Sequence, residues 1–135
     1  MDTRVNTILI HSYEGGKRTS LWPLQKRAQN AGFWERGVKT LPFHRVILRN
    51  GTIVDGRSLD RIGSHPEYVG LNRMCIHVCL IGDGDYTDRQ FASLRKVIRE
   101  IYKHVGAPMV VMGVDTFDAE KDLGFDASKF AQESK

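Results

Sequence analysis

FHRVILRNGTIVDG, residues 43–56, is the stretch of this chain that decides its fold class. Two β-rich runs, Phe43–Leu48 and Ile53–Val54, lie on either side of the pair Asn50-Gly51. An Asn-Gly pair between two such runs is typical of a tight hairpin turn, because both residues accept a positive φ. The sequence therefore predicts a β-hairpin at this place.

Apolar runs on both sides of the hairpin predict the rest of a sheet. Val5–His11, Met74–Ile81 and Pro108–Met112 have the length of strands. The near-continuous apolar character of Met74–Ile81 is typical of a central strand that is buried on both faces, and Pro108–Met112 is expected to be buried as well.

Three further segments have helical spacing of apolar residues. They run from Ser20 to Gly32, from Asp88 to His104 after the N-cap residue Thr87, and from Ala127 to Gln132 after the capping residue Asp126. The order β-α-β-β-β-α-β-α predicts one α/β domain over residues 1–135, with a mixed central β-sheet flanked by helices.

Composition excludes several classes of protein. With 135 residues, 41% hydrophobic and 27% charged, the chain has the balance of an ordinary globular protein. No apolar run is long enough to cross a membrane, and no apolar signal core follows Met1. The net charge of +4 comes from basic residues spread along the chain, which argues against nucleic-acid binding. Cys75 and Cys79 do not form a disulfide framework, so a reducing, cytoplasmic location is expected.

Five motifs occur in an order and spacing that point to one family. They are Ile8–His11, Phe43–Gly56, Gly63–His65, Asn72–Gly82 and Lys121–Asp126. Together they resemble the type-2 N-acetylmuramoyl-L-alanine amidases, above all the small phage lysozymes of amidase type, whose fold the peptidoglycan-recognition proteins share. The resemblance extends from Thr7 to Phe130. It implies a zinc hydrolase that cuts the amide between muramic acid and L-alanine, and for a phage-encoded chain it implies the host cytoplasm.

The resemblance also implies a metal site that this chain does not complete. Of the three family ligands, His11 matches the first and Asp122 the third, as remnant ligands. The second position is Val114, whose side chain cannot bind zinc, and residues 108–135 contain no histidine. No cofactor is therefore expected, unless His77 or another group completes a zinc site.

The family's catalytic helper positions differ too. Phe43 stands where the family has a tyrosine, Cys79 where other members have a glutamate, and Glu120 where a lysine supports the oxyanion. A thiol is no equivalent of a carboxylate as acid or base at neutral pH. The sequence therefore assigns no catalytic residue.

His77 and His65 are candidate binding-groove residues together with Cys79. His77 replaces the family's usual glycine and should share a sheet face with Cys79, two residues on. It either supplies a replacement ligand, giving His11, His77 and Asp122, or fills the cleft and hydrogen-bonds inside it. His65 matches a groove position of the family, although a loop histidine without function remains an equal reading. His44 is expected to pack on the side away from Phe43.

These residues favour a catalytically inactive amidase-fold protein that binds a muropeptide or a protein partner. The alternative is an active amidase with a rearranged zinc site. A third reading makes Cys79 and His77 a nucleophile–base pair, although a buried cysteine is more often a small apolar residue.

Overall fold

The computed structural model describes residues 5–13, 43–56, 58–60, 74–82, 85–107, 109–114 and 123–133. Their elements are β1 (Thr7–Tyr13), β2 (Arg45–Ile47), β3 (Ile53–Asp55), β4 (Cys75–Ile81), α1 (Asp88–Val105), β5 (Val110–Gly113) and α2 (Ala127–Glu133). The predicted helix from Ser20 to Gly32 lies outside these residues.

The five strands form one sheet in the order β3-β2-β4-β1-β5. Strands β2, β4, β1 and β5 run parallel, and β3 pairs antiparallel with β2. The predicted mixed sheet with helices is confirmed. In the β1–β4 register, His11 lies opposite Cys79 and Leu9 lies opposite His77.

The predicted hairpin joins β2 to β3 at Asn50-Gly51. Gly51 has a φ of +89°, a left-handed conformation that costs glycine little. The Leu48 N–H donates to the Thr52 carbonyl (2.9 Å), and the Thr52 N–H donates to the Asn50 side chain (2.9 Å). The turn is therefore closed by both backbone and side-chain hydrogen bonds.

Helix α1 begins and ends where its capping residues predict. Thr87 and Gln90 form a reciprocal capping box, and Gly106 ends the helix in the left-handed conformation. The buried Gln90 amide also donates to the carbonyls of Ile47 (3.2 Å) and Ile81 (2.8 Å), which ties the helix to the ends of β2 and β4. Within the described part of the chain, no helix is long and apolar enough to cross a membrane.

The two faces of the sheet carry different side chains. One face is apolar and packs against α1 and α2; its strand residues include Ile8, Ile10, Ile47, Ile76, Val78 and Leu80. Because side chains alternate along a strand, the opposite face carries Leu9, His11, His77 and Cys79. The polar residues of the candidate site therefore share the face that these two helices do not cover.

Strand β5 departs from the prediction. It lies at one end of the strand order and covers Val110–Gly113 instead of Pro108–Met112. Val110 is 52% exposed, so the expected full burial of this strand was wrong. An apolar run predicts a strand but not its place in the sheet, and an end strand has a neighbour on one side only.

Candidate functional site

The candidate site is built around a hydrogen bond between two buried histidines. His11 Nε2 and His77 Nδ1 are 2.8 Å apart, and the ring centroids are 5.0 Å apart. His11 is 3% exposed and His77 is 0% exposed. Between two neutral imidazoles, one of these nitrogens donates its hydrogen and the other accepts it. The parallel pairing of β1 with β4 brings the rings together, since both residues lie on one face of adjacent strands.

His44 holds His77 in place through two further hydrogen bonds. The His44 N–H donates to the His77 carbonyl (2.8 Å), and the His77 N–H donates to His44 Nδ1 (3.0 Å). The two rings are nearly parallel, 9° apart with centroids at 6.0 Å. A Nδ1 that accepts carries no hydrogen, so the neutral His44 ring has its proton on Nε2. His44 is buried, and its bonding to β4 goes beyond the packing role expected from sequence.

The ring of Phe43 contacts the ring of His11. The two rings meet edge to face, with centroids 5.0 Å apart at 67°. Gly56 permits this placement, because a Cβ at that position would lie 2.4 Å from the Phe43 carbonyl oxygen. The Gly56 N–H in turn donates to the His44 carbonyl (3.0 Å). The Asp55-Gly56 end of the hairpin thus fixes the backbone positions of Phe43 and His44.

Val114 lies on the same face of the sheet as His11. It follows β5 directly after Gly113, which pairs with Ile10 of β1. Its side chain belongs to a small buried cluster with Leu9 and Cys75 and is 3% exposed. The chain thus places an aliphatic group on the sheet face of His11, at the position where the family resemblance implies a second metal ligand.

Several residues singled out from sequence lie outside the described part of the chain. They are His65, Glu120 and Asp122. Their roles stay predictions. His77 and Cys79 are described and fully buried. Their role in a binding groove also stays a prediction.

The described residues do not fit a catalytic zinc ion. Such an ion takes three protein ligands and keeps one position open for water. Among residues 5–13, 43–56, 58–60, 74–82, 85–107, 109–114 and 123–133, no three His, Cys, Asp or Glu side chains form a metal-binding group. The facing nitrogens of His11 and His77 are in a hydrogen bond with each other, whereas two zinc ligands direct their lone pairs at a common point about 2.0–2.1 Å away.

The two cysteines behave as buried thiols. Burial raises the pKa of the Cys75 thiol from 9.0 to about 11, so it is neutral at physiological pH. Cys79 is fully buried, and its thiol donates to the Leu80 carbonyl at 3.8 Å. A nucleophilic cysteine is a partly exposed thiolate beside a cationic group, and Cys79 does not have that exposure.

Two surface cavities are bordered by other residues than His11, His44 and His77. One, of about 670 Å³, is bordered by Arg45, whose guanidinium pairs with Asp55 (3.2 Å) and Glu100 (3.0 Å). The other, of about 460 Å³, lies between α1 and α2 and is lined by residues that include Phe91 and Phe130. Neither includes a member of the histidine cluster.

Comparisons with known proteins agree on one family. A family model described as N-acetylmuramoyl-L-alanine amidase matches residues 1–119. The endolysin of Enterobacteria phage K11 is 32% identical over 75 residues, which are 50% of this chain and 48% of the endolysin. That of Escherichia phage T7 is 34% identical over 88 residues, 54% of this chain and 57% of the endolysin. The chain thus spans about half the length of these relatives.

Solved structures agree in fold. The N-acetylmuramoyl-L-alanine amidase LysC from Clostridium intestinale URNW superposes with a TM-score of 0.76 at 20% identity, covering 99% of this chain and 85% of LysC. A second match is a chain from the structure of tracheal cytotoxin bound to the ectodomain complex of peptidoglycan recognition proteins LCa and LCx. It superposes with a TM-score of 0.75 at 17% identity, covering 96% of this chain and 82% of that chain. At these identities the likeness is one of fold.

Proposed function

The chain belongs to the N-acetylmuramoyl-L-alanine amidase family, and from that premise we propose that this member binds a muropeptide without hydrolysing it. Val114 carries the proposal. Its buried isopropyl group lies on the sheet face of His11, where an amidase of this family needs a zinc ligand. An aliphatic side chain offers no lone pair, so the described residues supply His11 but not the second donor.

The loss of the helper groups supports the same conclusion. The ring in edge contact with His11 belongs to Phe43, which has no hydroxyl to orient or deprotonate a water molecule. Cys79 is fully buried and has no carboxylate to act as base. Losing a metal ligand and a water-activating group together costs orders of magnitude in rate, because catalytic groups act as a unit.

The retained framework supports binding. The chain keeps the fold of proteins that recognise peptidoglycan, one of which is known in complex with tracheal cytotoxin. Recognition requires only shape and hydrogen-bonding groups, which do not depend on an activated water. Binding of a muropeptide with no zinc cofactor is therefore the function that this site supports best.

Two measurements on the purified chain test the proposal. Calorimetric titration with a purified muropeptide is expected to show saturable binding, and suspensions of purified peptidoglycan are expected to keep their turbidity. His65→Ala should weaken binding, since His65 matches a groove position of the family. His104→Ala is the matched control, because His104 lies at the end of α1 in a hydrogen bond with Asp60 (2.8 Å).

The outcomes separate the competing functions. Absence of muropeptide binding would overturn the proposal and favour a protein partner instead. Loss of turbidity that disappears in His11→Ala would establish the second candidate, an active amidase with a rearranged zinc site. The phage endolysins at 32–34% identity favour that candidate, and only hydrolysis can establish it for this chain.

A further inference from the structure

The hydrogen bond between His11 and His77 has a consequence for metal binding. We infer that the imidazole of His77 has taken the place of the metal ion beside His11, so that a side chain of the protein is the partner of His11 Nε2. The inference rests on the proposed function, in which the native chain holds no zinc. It assigns to His77 the role of a metal-excluding residue, separate from the missing donor at Val114.

The Nε2 of His11 already takes part in a hydrogen bond. This nitrogen is 2.8 Å from His77 Nδ1, which is an ordinary hydrogen-bond distance. A metal placed between the two nitrogens would have to separate them and turn both lone pairs towards itself. As the rings stand, each nitrogen has the other as its partner along that line.

The backbone of His77 is held in place by hydrogen bonds. Its N–H and carbonyl both bond to His44, at 3.0 and 2.8 Å, and the two rings are parallel. His77 also lies within β4, whose seven residues are all buried. The backbone of His77 is therefore fixed within the sheet, so its ring can move away from His11 only by a change of side-chain rotamer.

Both rings are shielded from solvent. A catalytic metal keeps a coordination position open to water or substrate. His11 is 3% exposed and His77 is 0% exposed, so neither residue presents an open position to solvent. A glycine at position 77, as the family pattern has it, would vacate the volume of an imidazole on this face.

A rival role for His77 makes the opposite prediction. A histidine that binds a metal usually bonds through its other ring nitrogen to a neighbour that orients it. If His77 were such an orienting residue, a new donor at position 114 alone would restore a metal site. If His77 replaces the metal, that donor is ineffective until His77 is removed.

The experiment compares Val114→His, His77→Gly and the double variant in the full chain. Co²⁺ titrations followed by visible absorption report coordination directly, and Zn²⁺ affinity is measured by competition with a chromophoric chelator. The double variant is expected to bind either ion at least about 10-fold more tightly than each single variant. Adding His11→Ala should abolish that gain. Val114→Phe with His77→Gly is the matched control, since it adds a ring of similar size without a nitrogen donor.

Each outcome decides the question. Tight binding by Val114→His alone would overturn the inference in favour of an orienting role, and a double variant no better than the singles would overturn it too. Circular dichroism verifies folding, and His77→Ser replaces His77→Gly if the glycine weakens the strand. Zinc bound by the native chain would refute the proposed function itself, whereas these variant results leave muropeptide binding by the native chain untouched.

Discussion

Gly56→Ala tests how the hairpin positions the histidine cluster. A Cβ at position 56 would lie 2.4 Å from the Phe43 carbonyl oxygen. Ordinary carbon–oxygen contacts begin at about 3.3 Å, so one of the two segments has to move by about 1 Å. The obstacle is backbone, which cannot rotate out of the way as a flexible side chain could.

The cost follows from the bonds that resist this movement. Gly56 donates to the His44 carbonyl at 3.0 Å, and His44 donates to the His77 carbonyl at 2.8 Å. A shift of the Phe43-His44 segment by about 1 Å takes both bonds beyond hydrogen-bond range, and each is worth about 0.5–1.5 kcal/mol. With the strain of overpacking, about 1–3 kcal/mol, added to the two bonds, the free energy of unfolding should fall by about 2–6 kcal/mol.

Urea denaturation followed by circular dichroism measures this change, and NMR of the imidazole nitrogens reports whether His44 still accepts from His77. Gly106→Ala is the matched control. Its φ of +87° carries backbone strain, but no heavy atom lies within 4 Å of the new Cβ, so a loss of about 1 kcal/mol and unchanged imidazole signals are expected. If Gly56→Ala were as stable as the native chain with unaltered signals, the steric argument would be refuted.

Three further changes test other parts of the fold. Gln90→Leu removes the donor to the Ile47 and Ile81 carbonyls and the capping partner of α1. The unfolding free energy measured by urea titration should fall by about 2–4 kcal/mol. A loss below about 0.5 kcal/mol would contradict the bonding described. Asp126→Ala removes the acceptor for the Lys129 N–H (3.0 Å) and should lower the unfolding free energy by about 1 kcal/mol. An unchanged unfolding free energy would show that this cap does not stabilise α2. The pKa of Cys75 rises on folding from 9.0 to about 11, so the unfolded chain loses its proton first and stability should decline between these pH values. Cys75→Ala should flatten that decline, and an equally steep decline in the variant would assign it to another group.

The sequence predicts much of this fold because its local signals are strong. Asn50-Gly51 specifies a hairpin turn through the positive φ of Gly51 alone and the side-chain acceptor of Asn50, and neither depends on a distant contact. Thr87 and Gly106 mark the ends of α1 through hydrogen bonds within one turn of the helix. Strand alternation likewise places His77 and Cys79 on one face.

The bonding of the site lies beyond such local signals. The partnership of His11 with His77 depends on the register of β1 against β4, in which His11 lies opposite Cys79. The same apolar alternation is compatible with registers shifted by two residues, so the pattern predicts a shared face and not a contact. The two bonds from His44 depend on the arrival of the hairpin beside β4, which is a tertiary feature.

The metal content of the native chain tests the central claim most directly. The protein is purified without chelators, incubated with excess Zn²⁺, dialysed and analysed by mass spectrometry for metal per chain. We expect zinc to be lost on dialysis, leaving far less than one ion per chain, and His11→Ala to give the same value. About one zinc per chain that survives dialysis and disappears in His11→Ala would contradict it.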